Sequence, residues 1–127
     1  MSNNPPPLRI FYLEDNPLIV FHVEYMLEDL GHVFAGSLGS FAELKVSIDK
    51  FEIDCALVDI DLSDDRTGPA AAEWLFQRGI PSIFVTGQEQ TAAQLDSVSL
   101  GTVAKPLTLP LLAKSLDLFV QFKSSKR

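Results

Sequence analysis

The chain lacks several patterns that would mark whole classes of protein. Among its 127 residues there is one cysteine, Cys55, which excludes an intramolecular disulfide and a metal site built from several thiolates. Lysine and arginine total 10 against 17 aspartate and glutamate residues, so the basic face that a nucleic-acid partner requires is missing. No apolar run is long enough to span a membrane, and no apolar secretion signal begins the sequence. These absences predict a cytoplasmic protein without nucleic-acid or membrane partners.

The composition and length favour one folded domain. Hydrophobic residues make up 46% of the chain, which is too high for a disordered protein of this charge. A chain of this length suits a single core. We expect a flexible, proline-rich tail at residues 1–7, a domain over residues 8–122, and a polar tail at residues 123–127.

Apolar runs and helical periodicities alternate along the domain. Strands are predicted at residues 8–13, 33–37, 53–59, 80–85 and 100–104, and helices at 17–30, 41–50, 69–78, 88–97 and 108–122. The helix at 88–97 has little apolar face. Five βα units in succession predict an α/β fold with a doubly wound, five-stranded parallel sheet, (βα)5, and helices on both faces.

The first predicted helix has two apolar faces. Its core face is predicted to hold Ile19, Val20, Val23, Met26, Leu27 and Leu30. Leu18, Phe21 and Tyr25 fall on the opposite side at spacings of three and four, so they are neighbours on the helix surface. This stripe is a candidate site for docking of a kinase or for self-association as a homodimer, unless neighbouring segments cover it.

Chemically active side chains stand where the predicted strands end. Glu14 and Asp15 follow the first strand, Asp59 ends the third, Thr86 follows the fourth, and Lys105 follows the fifth. In a parallel sheet these ends share one edge, which is where ligands bind. Three neighbouring carboxylates repel one another unless a cation joins them, and a few hard oxygen ligands suit Mg²⁺. A carboxylate can also attack phosphorus and form an aspartyl phosphate.

With these five residues in this order, the sequence resembles a response-regulator receiver domain over about residues 8–122. The resemblance implies a flavodoxin-like fold and Asp59 as the acceptor of a phosphoryl group from a histidine kinase or a histidine phosphotransfer protein. It implies that Asp15 and Asp59 bind Mg²⁺ directly, Glu14 through water, and Asp61 through its backbone carbonyl. Thr86 and Lys105 would contact the phosphoryl group. An unknown downstream protein would read the result, and the chain would not be an enzyme beyond its own phosphorylation and dephosphorylation.

Some positions depart from the common receiver pattern. Phe84-Val85-Thr86-Gly87 is similar to a subgroup whose fourth strand ends in Phe-Ala-Thr-Gly, but Gln88 follows where that subgroup has an aromatic residue. Thr102 stands three residues before the lysine, where an aromatic switch residue is usual. Asp61 and Gln88 occupy positions where the family tunes the lifetime of the phosphoryl group. We expect a single-domain regulator, because no output domain follows in the sequence.

Two other interpretations fit parts of the pattern. Asp59-Ile60-Asp61 resembles the start of a haloacid-dehalogenase-type phosphatase, although no acidic pair follows the lysine and Glu14-Asp15 precede the nucleophile strand. A receiver that is never phosphorylated and acts only as an interaction module is the other alternative. It would explain the absent aromatic residue at position 102, but not the complete acidic set.

Overall fold

The fold is taken from a computed structural model, which describes residues 7–60, 62, 67–87 and 99–125. The elements within these ranges alternate between strand and helix. In chain order they are β1 (Arg9–Leu13), α1 (Pro17–Asp29), β2 (Val33–Leu38), α2 (Phe41–Ser47), β3 (Cys55–Asp59), α3 (Gly68–Gln77), β4 (Ser82–Thr86), β5 (Thr102–Ala104) and α4 (Leu109–Ser125). One turn of 3₁₀ helix, Ile48–Lys50, follows α2.

The five strands form one parallel sheet in the order β2-β1-β3-β4-β5. The predicted flavodoxin-like α/β fold is therefore confirmed. Strand β3 lies at the centre with all five residues buried, which accounts for its unbroken apolar sequence. The register pairs Leu13 with Val58 and Asp59 with Val85, so the ends of β1, β3 and β4 lie at the same edge.

Helices cover both faces of the sheet, as the alternating pattern predicted. Helices α1 and α4 pack on one face, where Val23, Met26, Leu27, Leu112, Leu116 and Phe119 join the strand side chains. Helices α2 and α3 pack on the other face, through Leu44, Ala71, Ala72 and Leu75. The core face predicted for α1 is confirmed. The periodicity of residues 108–122 also predicts that Leu111 faces inward together with Leu112, Leu116, Phe119 and Val120. This prediction was wrong for Leu111, whose side chain is 41% exposed on the outer side of α4.

Short local signals fix the helix ends. The Asn16 side chain accepts a hydrogen bond from the backbone N–H of Leu18, and Pro17 begins α1. Ser40 caps α2 by accepting a hydrogen bond from the backbone N–H of Glu43, and the Glu43 carboxylate accepts one from the backbone N–H of Gly39. Helix α1 stops at Gly31, whose φ of 85° lets His32 N–H donate back to the carbonyl of Leu27 at 3.0 Å.

Several predicted boundaries moved by a few residues. Helix α2 ends at Ser47, and residues 48–50 continue as 3₁₀ helix. Residues 53–54, 80–81 and 100–101 lie outside the strands, and α4 continues past its predicted end to Ser125. The helix predicted at 88–97 falls outside the described residues. Within those residues, no helix is both long and apolar enough to cross a membrane.

Candidate functional site

Lys105 connects two buried carboxylates at the ends of the strands. Its Nζ lies 3.0 Å from Oε1 of Glu14 and 3.1 Å from Oδ2 of Asp59. The Lys105 side chain is 28% exposed, whereas those of Glu14 and Asp59 are 1% and 4% exposed. The lysine follows β5, two strands away from β3, so its long side chain spans β4 to reach the centre of the sheet. A buried carboxylate requires a partner of this kind, because burying an unpaired charge is costly.

Glu14 is the most firmly held of the acids. The Tyr12 hydroxyl donates to Oε1 at 3.3 Å, and the backbone N–H groups of Asp15 and Asn16 donate to Oε2 at 3.0 and 3.3 Å. The turn between β1 and α1 thus folds around the Glu14 carboxylate. Asp15 is exposed beside it, so the adjacent acids have different environments.

The three predicted acidic ligands converge. Single carboxylate oxygens from Glu14, Asp15 and Asp59 all lie within 4.8 Å of one another. Three hard oxygen donors at this spacing fit a divalent cation such as Mg²⁺, which takes one or two protein carboxylates and keeps several waters. The donor set therefore agrees with the metal site expected from the sequence.

Burial and mutual charge alter the proton affinity of the buried groups. Burial raises the pKa of Glu14, and the Asp59 charge adds to that rise, while Lys105 opposes it. Burial alone would lower the pKa of Lys105, but the hydrogen bonds and charges of Glu14 and Asp59 outweigh it, so the pKa is raised. Burial also raises the pKa of the Tyr12 hydroxyl, so this group stays protonated and donates a hydrogen bond to Glu14. Lys105 thus stays charged between the two acids.

Thr86 is buried at the end of β4, beside the acidic cluster. Its register partner on β5 is Ala104, and the backbone N–H of Lys105 donates to the Thr86 carbonyl at 2.9 Å. Thr86 and Lys105 are thus adjacent across the β4–β5 pair. The structure brings together Glu14, Asp15, Asp59 and Lys105 by direct contact, and places Thr86 at the neighbouring strand end. Asp61 and Gln88 lie outside the described residues.

Thr102 lies at the other end of β5, opposite Phe84, and is exposed. Its side chain is therefore on the surface at the position where receivers usually carry the aromatic switch residue.

Gly68 belongs to the site but was not predicted. A Cβ atom added there would lie 2.5 Å from the carbonyl oxygen of Asp59 and 2.7 Å from the Cα of Ile60. Helix α3 therefore begins against the backbone of Asp59 and Ile60, at a distance that only glycine permits. The glycine directly before Pro69 was the available sequence signal.

The stripe on α1, whose coverage by neighbouring segments the sequence left open, is exposed. Leu18, Phe21 and Tyr25 are 81%, 70% and 69% exposed. Two clefts flank them. A groove of about 470 Å³ lies between α1 and the turn after β2, and a more apolar cleft of about 450 Å³ lies between α1 and the segment after β5. The acidic site lies beside both clefts, since Glu14 and Asp15 line the first and Lys105 lines the second.

This fold is that of response-regulator receiver domains, which are the structural neighbours of the chain. One is the signal receiver domain of a modulated diguanylate cyclase from Desulfovibrio desulfuricans G20, with TM-score 0.83 and 26% identity, covering 95% of this chain and 99% of that one. Another is the anti-anti-sigma factor PhyR from Bartonella quintana, with TM-score 0.84 and 26% identity, covering 97% of this chain and 51% of PhyR.

A CheY-like receiver domain protein from Methanospirillum hungatei JF-1 shares the fold at 21% identity, with TM-score 0.78 and coverage of 95% and 99%. No protein-family model and no curated protein matches the chain. The resemblance inferred from the strand-end residues is therefore confirmed by structural similarity over nearly the whole chain.

Proposed function

We propose that this chain is a phosphorelay receiver that accepts a phosphoryl group on Asp59 from the phosphohistidine of a cytoplasmic histidine kinase or histidine phosphotransfer protein. The observation that carries the proposal is the contact of Lys105 with both Glu14 and Asp59 beside a cluster of three carboxylates. A simple surface acid would need no such arrangement. The receiver domains among the structural neighbours support the same class of function.

The transfer is a displacement at phosphorus. A carboxylate oxygen of Asp59 forms a bond to phosphorus, the phosphorus–nitrogen bond of the donor breaks, and its electron pair returns to the imidazole ring. Lys105 lies 3.1 Å from a carboxylate oxygen of Asp59, so its charge is placed to offset the negative charge that the phosphoryl group brings to this residue. Glu14, Asp15 and Asp59, with the backbone carbonyl of Asp61, would hold Mg²⁺, which neutralises charge on a transferring phosphoryl group.

Phosphorylation would then shift a surface that a downstream protein reads. The added charge on Asp59 competes with Glu14 for Lys105 and offers an acceptor to the Thr86 hydroxyl. Both residues connect directly to β5, which in turn contacts α4, so the change reaches the β4–β5–α4 side. Converting a mostly inactive population to a mostly active one requires a free-energy bias of up to about 5.5 kcal/mol.

The test is intact mass spectrometry after incubation with acetyl phosphate and Mg²⁺. We expect one phosphoryl adduct on the parent protein and none on Asp59→Asn. Asp117→Asn, which makes the same change at an exposed position on α4, should be labelled like the parent. An adduct on Asp59→Asn, or no adduct on a folded parent protein, would reject Asp59 as the acceptor and leave the non-phosphorylated alternative.

The same preparation distinguishes a receiver from a phosphatase. A receiver should release no more than about one equivalent of para-nitrophenol from para-nitrophenyl phosphate over the lifetime of its adduct. Sustained release over many turnovers that depends on Asp59 would identify an enzyme instead.

A further inference from the structure

One buried oxygen of Glu14 receives two side-chain donors. The Tyr12 hydroxyl lies 3.3 Å from Oε1, and Nζ of Lys105 lies 3.0 Å from the same atom. The other carboxylate oxygen, Oε2, accepts from the backbone N–H groups of Asp15 and Asn16. Glu14 would therefore keep a donor at Oε1 even if the lysine turned away.

Tyr12 is held in place by the core of the protein. Its side chain is fully buried and belongs to the apolar cluster on the face of the sheet that α1 and α4 cover. Its register partners are Ser37 on β2 and Leu57 on β3, so its backbone is paired on both sides. Tyr12 also lines the cleft of about 450 Å³ that Lys105 borders. The position of the Tyr12 hydroxyl is therefore fixed while the charges beside it rearrange.

Lys105 has the long, rotatable side chain of this set. Its Nζ is shared between Glu14 and Asp59, and its side chain is 28% exposed. A phosphoryl group on Asp59 would bring further negative oxygens to this ammonium group, which has three hydrogens to donate. Motion of Nζ toward them lengthens its contact with Oε1 of Glu14. Because the Glu14 side chain is only 1% exposed, an oxygen left there without a donor would cost free energy.

We propose that Tyr12 is a positioning residue that sets how firmly Lys105 is held by Glu14. The hydroxyl and the ammonium group draw on the negative charge of one oxygen, so the hydroxyl weakens the ion pair. It also keeps Oε1 hydrogen-bonded when the lysine turns toward a phosphoryl group on Asp59. The effect on Lys105 follows from the contacts themselves, whereas the part played in phosphorylation rests on the proposed function.

The first test compares the parent protein with Tyr12→Phe, which removes the hydroxyl and keeps the ring. Lysine side-chain NMR without a phosphoryl donor measures hydrogen exchange of the Lys105 ammonium group, whose signal is assigned by its loss in Lys105→Arg. We expect exchange to slow about tenfold in Tyr12→Phe, because the lysine becomes the stronger partner of Glu14. Tyr25→Phe makes the same change at an exposed position and should exchange like the parent. Equal exchange in Tyr12→Phe and the parent would overturn the proposal.

The second test measures the rate of labelling by acetyl phosphate as a function of Mg²⁺ concentration. At saturating Mg²⁺ we expect Tyr12→Phe to be labelled about tenfold more slowly than the parent, and Tyr25→Phe to be labelled at the parent rate. The Mg²⁺ concentration that gives half of the maximal rate should not rise, because the hydroxyl acts on the lysine. An unchanged rate, or a loss that additional Mg²⁺ restores, would reject the role of Tyr12 in phosphorylation.

Glu14→Gln separates positioning from packing. The charge for which the two donors compete is absent in this variant, so Tyr12→Phe should lose most of its effect on exchange and on labelling there. Effects of the same size in both backgrounds would indicate a change in strand packing and overturn the proposal.

The two measurements also distinguish this proposal from the proposed function. A folded parent that is never labelled, but whose Lys105 exchange responds to Tyr12→Phe, would reject the proposed function and retain the positioning of Lys105. A parent that is labelled normally, with Lys105 exchange unchanged in Tyr12→Phe, would reject the positioning role alone.

Discussion

At the scale of single residues, the site depends on one cation shared by two buried acids. Glu14 and Asp59 are almost fully buried, and Lys105 contacts both at about the same distance. If both acids were charged without the lysine, each would lack compensation and repel the other. The lysine therefore allows two acids to coexist at the strand edge. Asp15 is exposed beside these two acids, so a metal ion can reach its carboxylate directly from solvent.

His32 is a second residue whose charge state is tied to folding. Its Nδ1 accepts a hydrogen bond from the backbone N–H of Leu8 at 3.1 Å. Burial lowers the pKa of His32. A protonated ring can no longer accept this bond, because both ring nitrogens then carry hydrogen. The neutral form of His32 is therefore the form that the folded protein favours.

We predict that the free energy of unfolding falls as pH is lowered from about 7.5 to about 5.5, and that His32→Gln reduces this fall. The pKa of His32 in the folded protein lies below its unfolded value near 6.5, so the unfolded chain binds more protons in this range. The stabilising contribution is complete above the unfolded pKa and is lost as pH falls through the folded pKa. Urea unfolding at a series of pH values measures it.

The matched control is His22→Gln, which removes the other histidine at an exposed position on α1. It should retain the pH dependence of the parent protein. If both variants reduce the pH dependence of the unfolding free energy equally, or neither does, the hydrogen bond from Leu8 to His32 is not the cause of that dependence.

At the scale of elements, the start of α3 packs directly against the end of β3 at Asp59. Gly68 lies so close to Asp59 and Ile60 that any side chain would overlap their backbone. The α3 helix and the end of β3 are therefore in direct contact. A steric requirement of this kind concerns backbone atoms, which cannot rotate away as a side chain can.

Gly68→Ala should destabilise the protein by about 1–3 kcal/mol, the usual cost of forcing extra atoms into a packed region. Because the overlap is with the carbonyl of Asp59, the variant should also be labelled more slowly by acetyl phosphate. Urea unfolding and the rate of adduct formation measure the two effects. The control for stability is Gly87→Ala, where an added Cβ meets nothing within 4 Å. A loss as large in Gly87→Ala would contradict the steric explanation.

The existence and order of the described elements could be predicted, because each has a local signal. Pro17 and Gly31 delimit α1, and the unbroken apolar run before Asp59 marks β3. The outward position of Leu111 could not be predicted, because it depends on how the first turn of α4 sits against its neighbours rather than on helical periodicity. The predicted strand boundaries also differ from those of the structure, because backbone pairing with adjacent strands decides where a strand begins and ends.

At the scale of the whole molecule, negative charge is concentrated near one edge of the sheet and around α1. The neighbouring carboxylates of Glu14, Asp15 and Asp59 belong to this region. Repulsion among them opposes folding when no cation is bound. A divalent ion that binds only the folded protein therefore stabilises it by mass action.

We predict that Mg²⁺ raises the thermal midpoint of unfolding, by an amount that grows with its concentration. At about 100 times the dissociation constant the gain in unfolding free energy is about 2.7 kcal/mol. Asp15→Asn should lose most of this gain, whereas Glu28→Gln, with the same change in charge at an exposed position on α1, should keep it. Calorimetry with and without Mg²⁺ provides the measurement. An equal gain in both variants would indicate general screening of charge instead of a site.

The sequence by itself determined the fold class and the identity of five residues at the strand ends. Those conclusions rest on periodicity and on the rule that parallel strands end at one edge. Only the tertiary structure decided that Lys105 contacts Glu14 as well as Asp59, that Gly68 touches the backbone of Asp59, and that Phe21 borders an acidic groove. These contacts join residues far apart in the chain or depend on distances of an ångström. Local pattern indicates which face most residues of a helix or strand occupy, but the packing of elements decides what they meet there.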